Sequence, residues 1–502
     1  MPSHLVRLRY LLGEVFDLRA ASAVLEWDQQ VNMPSGGAAN RAAQLETLGR
    51  MAHESFTSDE VGAELEGAAG EAKSMDPDSD DARLVRKVRR DYTKGRKVPA
   101  EFVGEFARVS ALAQEAWIHA RPANDFASFA PHLERVFDLR RQYADFFAPY
   151  DHRYDPMLDD FEPGLKAAQV KEVFDELRPR QVSLVRAIQE RGRPVEDAFL
   201  HLDYDIQKQW DFGVEVAKAY GYDFNRGRQD KSAHPFTTTF GLGDVRITTR
   251  FYPNLLTSSI FSTMHETGHA LYDQGSKPNL DRSPLLGGTS LAVHESQSRM
   301  WENFVGRSRA FWTGFFPRLQ ATFPSQLATV EVDGFYRAIN KVQPSLIRVE
   351  ADEATYNLHI MLRFDLEMAL AEKSVDVRDL PERWNAKMQE YLGLTPPNDK
   401  DGVLQDVHWS SGLMGYFPTY ALGNLIAAQL WEKIQADLPS LPQEIARGRF
   451  ASLLGWLREH IHQHGAKFEP VELLQRVVGS GLSAKPYLRY LEGKFGDIYG
   501  LS

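Results

Sequence analysis

The chain of 502 residues carries 58 Lys plus Arg against 69 Asp plus Glu, a net charge of −11, with 43% hydrophobic residues, 25% charged residues and no cysteine. That balance is ordinary for a folded globular protein and argues against wrapping a nucleic-acid backbone. Without cysteine there are no disulfides, thiol nucleophiles, Cys-ligated zinc or iron–sulfur clusters, so any metal must rest on His, Asp or Glu.

The first twenty residues set Arg7, Arg9, Glu14 and Asp17 among the apolar positions, which does not read as a signal peptide. No run approaches ~18 consecutive apolar residues, so a cytoplasmic protein with no membrane and no nucleic-acid partner is expected. Apolar residues recur at helical spacing, as in Phe102, Phe106, Val109, Leu112 and Ala113, or Leu358, Met361, Leu362, Leu366 and Met368. The chain therefore reads as mainly α. Breaks are predicted at Met33 to Gly37, Gly70 to Asp81, and Arg121-Pro122. The basic run Arg86 to Lys97 reads as a solvated helix end facing acidic Asp76 to Asp81. No composition shift marks a linker, so one helical domain over 1–502 is expected, with the helices of 1–150 forming one wall or lid of a cleft.

Between Pro235 and Tyr252 the pattern changes. TTTF and DVRITTRFY flank Gly241-Leu242-Gly243, a hairpin signal rich in β-branched and aromatic residues. Asp244, Arg246, Thr248 and Arg250 alternate with Val245, Ile247 and Thr249, so one face can pack while the other meets solvent or ligand.

The segment SSIFSTMHETGHALYDQG then carries His265, Glu266 and His269 in the His-Glu-x-x-His pattern. Positions i and i+4 share a helix face, so both imidazoles can reach one ion while Glu266 stands beside its water. Chance would supply such a match roughly 0.03 times in a chain of this make-up. Ser258 or Ser259 is the expected cap, and Gly275 the end. Thirteen residues later a second helix opens at Thr289 or Ser290, and so short a link suits an antiparallel pair. It brings His294 or Glu295 over the first helix. Adjacent helical residues diverge by ~100°, so only one of them faces the ion, and the residues alone leave both open. Arg299 and Glu302 share the Glu295 face and favour it. Three protein ligands leave a position for water, as in catalytic zinc sites, and Glu266 then serves as general base for peptide-bond hydrolysis. A non-catalytic metal-binding protein is the competing reading.

Six motifs together resemble the thermostable, Taq-like family of zinc-dependent metallocarboxypeptidases. They are His234-Pro235-Phe236, Asp244-x-Arg246-x-Thr248, HETGH at 265–269, His294-Glu295-Ser296-Gln297, Ile347-Arg348-x-x-Ala351-Asp352 and Gly402-x-x-Gln405-Asp406-x-His408-Trp409. Trp27-Asp28-Gln29 and Met33-Pro34 fit as well, so the similarity spans nearly the whole chain. The resemblance implies a large helical domain with a long central groove, a small sheet beside the active helix, and a homodimer. It implies release of single C-terminal residues from peptides with broad side-chain tolerance, using one Zn²⁺ that Co²⁺ or Mn²⁺ can replace. It assigns Glu295 as third ligand beside His265 and His269, and makes His294 a neighbour.

A C-terminal exopeptidase must bind a free carboxylate, which a guanidinium does best. The resemblance gives this role to Arg348, whose i,i+4 spacing to Asp352 otherwise reads as a helix ion pair; both can hold if Asp352 orients the guanidinium. The DVRITT strand is expected to run along the substrate as the sheet edge. For Asp244 and Arg246 a structural ion pair competes with substrate contact, and for His234 a satisfied loop histidine competes with donation to a substrate carbonyl. His408, Tyr416 and Tyr420 offer donors to the oxyanion, with His408 and Tyr420 favoured as catalytic, Trp409 as a wall, and Gln405 and Asp406 orienting His408.

Overall fold

A computed structural model describes residues 3–501. Polar side chains at several helix starts take up otherwise unpaired backbone N–H groups, among them Ser3, Ser58, Ser79, Asp125, Asp205 and Ser290. The outcome is 21 α-helices among the described residues and one three-stranded sheet, a mainly α fold as the periodicity predicts. No helix among the described residues is long and apolar enough to cross a membrane.

Two of the three predicted breaks hold with adjustments. Residues 32–37 separate the helices His4–Val31 and Ala38–Phe56, and the second gap narrows to 73–79. Arg121-Pro122 is not a loop: it forms the last turn of Ala100–Ala123, which stops at Asn124 in a left-handed conformation with φ 54°.

Two hydrophobic clusters form. A small one draws on the helices His4–Val31, Asp59–Ala72 and Asp80–Lys97 together with Phe56, and on Leu280 and Leu285 from the link between the two metal-site helices. The large one includes Ala100–Ala123, Phe126–Asp145 and nearly everything beyond. Ion pairs fasten the first group to the rest. Arg90 and Lys94 reach Asp159 at 2.7 and 2.8 Å, and Lys94 reaches Asp160 at 2.7 Å. Within the basic run Lys87, Arg90 and Lys94 are thus half-buried, Arg90 and Lys94 forming a seam, while Arg86, Arg89, Arg96 and Lys97 are exposed as expected of a solvated helix end. The run's expected acidic partners are engaged elsewhere: Asp78 with Arg83, Asp80 with Lys467, and Asp81 with Arg9.

The hairpin forms as β2 (Thr237–Gly241) and β3 (Asp244–Thr249), and a short strand, β1 (Gln229–Lys231), pairs parallel to β3. The order β1-β3-β2 puts β3 in the middle. The DVRITT strand therefore has strand neighbours on both sides, β1 covering only Ile247–Thr249, and the edge offered beside the site is β2. Val245, Ile247 and Thr249 are buried, with Thr249 Oγ1 2.9 Å from Thr263 Oγ1 on the metal-site helix.

Candidate metal centre and active site

The helix Leu256–Gln274, here the histidine helix, carries His265, Glu266 and His269. It starts at Leu256 after Leu255, so neither Ser258 nor Ser259 caps it; Ser259 is buried and donates to Gln209 Oε1 at 2.6 Å. Gly275 ends it as expected. The helix Leu291–Arg299, here the glutamate helix, is capped by Ser290, which accepts from Val293 N at 3.2 Å. Close approach of the two needs the glycine inside HETGH. A β-carbon on Gly268 would lie 2.6 Å from Ser298 Cα and 2.7 Å from Gln297 O, both backbone atoms.

That approach brings His265, His269 and Glu295 together, with ligand atoms all within 4.8 Å of one another. His265 Nε2 lies 3.5 Å and His269 Nε2 3.4 Å from the same Glu295 Oε2. Such separations match the edge of a tetrahedron with metal–ligand bonds of about 2.0–2.2 Å, so the donor set fits a divalent cation.

The outward nitrogens are engaged as the inward ones require. His265 Nδ1 is 2.9 Å from Glu302 Oε2, and His269 Nδ1 is 2.6 Å from His294 Nδ1. His294 Nε2 continues to Asp273 Oδ1 at 3.0 Å, and Asp273 also accepts from the Thr239 hydroxyl. If each ligand histidine donates from Nδ1, both Nε2 lone pairs are free for the ion, and His294 passes the hydrogen bond on to a carboxylate. His294 is thus a support for His269. Glu302 belongs to the π-helical turn Met300–Gly306, a widened geometry common at functional sites.

Charge follows the same layout. Burial opposes a charge on Glu295, but Arg299, with Nε at 2.7 Å, and the two histidines hold its pKa well below the carboxylate range. Burial keeps His269 neutral, lowering its pKa to about 4. Burial also raises the pKa of Glu266, although the Thr237 hydroxyl donates to its Oε2 at 2.7 Å. A carboxylate made more basic than usual beside a cation site suits proton abstraction.

Arg348 is buried, in a short 3-10 turn (Arg348–Glu350) and not on an α-helix. Its Nε and Nη2 donate to Asp406 Oδ1 at 3.0 and 2.9 Å, and its Nη1 to Tyr356 at 3.1 Å. Asp352 does not orient it, because that carboxylate accepts from Gln343 N, Ala354 N and Thr355. Arg363, fully buried, joins Asp406 Oδ2 through Nε at 2.7 Å. Two guanidiniums thus share one carboxylate. Tyr356 links this cluster to the metal centre, since Arg299 lies over its ring at 4.7 Å.

His408 Nε2 is 3.4 Å from the Tyr420 hydroxyl, and burial lowers its pKa to about 4, so it is neutral. Asp406 stays 3.9 Å from His408 Nδ1, beyond hydrogen-bond reach, and Gln405 serves Arg348 N and Arg363. Neither orients His408. Burial first, and the nearby Glu295 charge among the remaining causes, raise the pKa values of Tyr416 and Tyr420, which keep their protons as donors. Trp409 is buried and donates to Glu367 at 2.7 Å.

Other candidates lie further out. Asp244 and Arg246 pair at 2.7 and 2.8 Å within β3, and the guanidinium stacks 4.3 Å from Trp27 and 4.9 Å from Phe240. His234 is exposed, and its ring has no hydrogen-bond partner among the described residues. Sequence reasoning passed over Thr237, Thr239, Asp273 and Tyr356. The TTTF run carried the only signal for the threonines, and it read simply as strand.

A sequence model of the family described as carboxypeptidase Taq (M32) metallopeptidase matches residues 7–495. Thermostable carboxypeptidase 1 of Thermus thermophilus is 44% identical over 96% of both chains, and carboxypeptidase 1 of Bacillus subtilis is 37% identical over 97% of both. The crystal structure of the M32 carboxypeptidase from Deinococcus radiodurans R1 superposes with a TM-score of 0.96 at 44% identity, covering 99% of each chain. The chain is a metal-dependent carboxypeptidase and belongs to the carboxypeptidase Taq (M32) metallopeptidase family.

Proposed function

We propose that the protein removes single residues from peptide C-termini with broad side-chain tolerance, with Zn²⁺ on His265, His269 and Glu295 and Glu266 as general base. The carrying observation is the buried cluster of Arg348, Arg363 and Asp406, two positive charges against one negative, joined to the metal centre through Tyr356 and Arg299. A surplus buried guanidinium calls for a carboxylate, and a peptide C-terminus supplies it.

A divalent cation bound there polarises the scissile carbonyl and acidifies a neighbouring water. Glu266 takes the proton of the attacking water and hands it to the departing amine, while the Thr237 hydroxyl holds the carboxylate in place. His408 and Tyr420, aided by Tyr416, donate to the oxygen that gains charge as the carbonyl is attacked. The open edge of β2 hydrogen-bonds the peptide backbone, which favours binding that ignores side chains. Asp244 and Arg246 then act through Trp27 as supports of that sheet. Cytoplasmic residence and a homodimer rest on the sequence reading and the family resemblance, and sedimentation of the purified protein tests the dimer.

The test is an N-blocked dipeptide offered with a free or an amidated C-terminus. Cleavage of the free acid alone is expected. Equal cleavage of both refutes a carboxylate-selecting site.

A further inference from the structure

Thr237 touches Glu266 on one side and on the other opens into a cleft of about 490 Å³ between β2 and the helix His4–Val31. Phe236, Thr237 and Thr238 form one wall, and Glu26, Trp27 and Gln30 stand on the other. Because Thr248 N donates to Phe236 O, alternate residues from Phe236 turn to β3, and the backbone groups of Thr237 and Thr239 face the open edge. The Arg348 cluster reaches the metal centre from the glutamate-helix side, whereas β2 reaches it through Glu266 on the histidine helix. A peptide whose C-terminus lies at Arg348 therefore continues toward its N-terminus along β2, into this cleft.

The cleft is lined by uncharged side chains with one exception. Glu26 is exposed and forms no ion pair among the described residues. We propose that this cleft receives the residues preceding the scissile bond, and that Glu26 favours a lysine or arginine side chain at one of them. The inference rests on the carboxypeptidase reading and adds to it a preference away from the departing residue. Its size is bounded by solvent, since an exposed ion pair contributes at most ~1 kcal/mol, about a two- to fivefold effect.

Blocked peptides ending in the same residue, with Lys, Ala or Glu placed in turn at each of the three preceding positions, test it. The native enzyme is expected to show a Lys-to-Glu ratio of kcat/KM of about 2–5 at one position, shrinking as salt rises. In Glu26→Gln the ratio falls toward one, and in Glu26→Lys it inverts. The alanine peptide reports how active each variant is, so the ratios are read independently of folding. A native ratio near one at every position, or a ratio that Glu26→Lys leaves unchanged, overturns the assignment of Glu26. Failure to release the last residue from the alanine peptide would overturn the carboxypeptidase reading itself.

Discussion

Gly423, on the helix Pro418–Asp437, stands directly against Glu295: a β-carbon there would lie 2.5 Å from Glu295 Cγ and 2.7 Å from its Cβ. Gly268 makes the matching approach on the other flank of the glutamate helix. The third ligand is thus held in register by two glycines from two other helices. Gly423→Ala is expected to displace the carboxylate, costing about 1–3 kcal/mol of stability and weakening metal binding about 10–100-fold. Competition against a chromophoric chelator measures the affinity, and native affinity in the variant would mean the helix yields freely.

Glu266→Gln keeps the hydrogen bond from Thr237 and leaves the ligands untouched. Metal content and thermal stability should stay near native, while turnover falls by about 10²–10⁴-fold. Persistent turnover would remove Glu266 from the role of base.

Dialysis against a chelator is expected to lower the unfolding temperature, because an ion bound only by the folded chain stabilises it by about 3–4 kcal/mol at 100–1,000 times Kd. Scanning calorimetry with and without added Zn²⁺ checks this. An unchanged unfolding temperature would show that the three donors do not hold an ion.

Asp406→Asn leaves two buried guanidiniums without their shared carboxylate. A loss of about 3–5 kcal/mol is expected. The milder Arg348→Lys keeps the charge but loses the planar fork, so KM should rise far more than kcat falls. A fall confined to kcat would place Arg348 outside ground-state carboxylate binding.

Glu162 is buried and accepts from Ala292 N at 2.6 Å, at the start of the glutamate helix. Burial raises its pKa to about 8. Between the ordinary carboxylate value, ~4.5, and about 8 the folded state holds more protons than the unfolded one, so this group makes stability fall as pH rises through that window. Glu162→Gln removes the titration. Its stability relative to native should grow from pH 5 to pH 8 by on the order of 1–4 kcal/mol, measured by urea unfolding. A pH-independent difference would mean the carboxyl is already ionised at pH 5.

Much of the centre is legible in the sequence because it is local. His265, Glu266 and His269 need only one turn of helix, and the short link after Gly275 requires the next helix to fold back over them. Apolar spacing gives the helical class for the same reason. The motif match supplied Glu295 and Arg348, whose roles the neighbouring residues left open.

Tertiary structure alone decided the partners. Arg348 turns to Asp406, 58 residues away, and leaves Asp352 four residues away to cap a turn. Local spacing cannot foresee this, because the 3-10 turn at Arg348 breaks the helical geometry on which an i,i+4 pair depends. The same holds for the sheet. Alternation in DVRITT predicts a strand but not its neighbours, and pairing with the three-residue β1 left β2 as the edge beside the site. Hydrogen bonding within a segment is fixed by adjacent residues, whereas edges, charge partners and close helix approaches depend on which distant segments share a core.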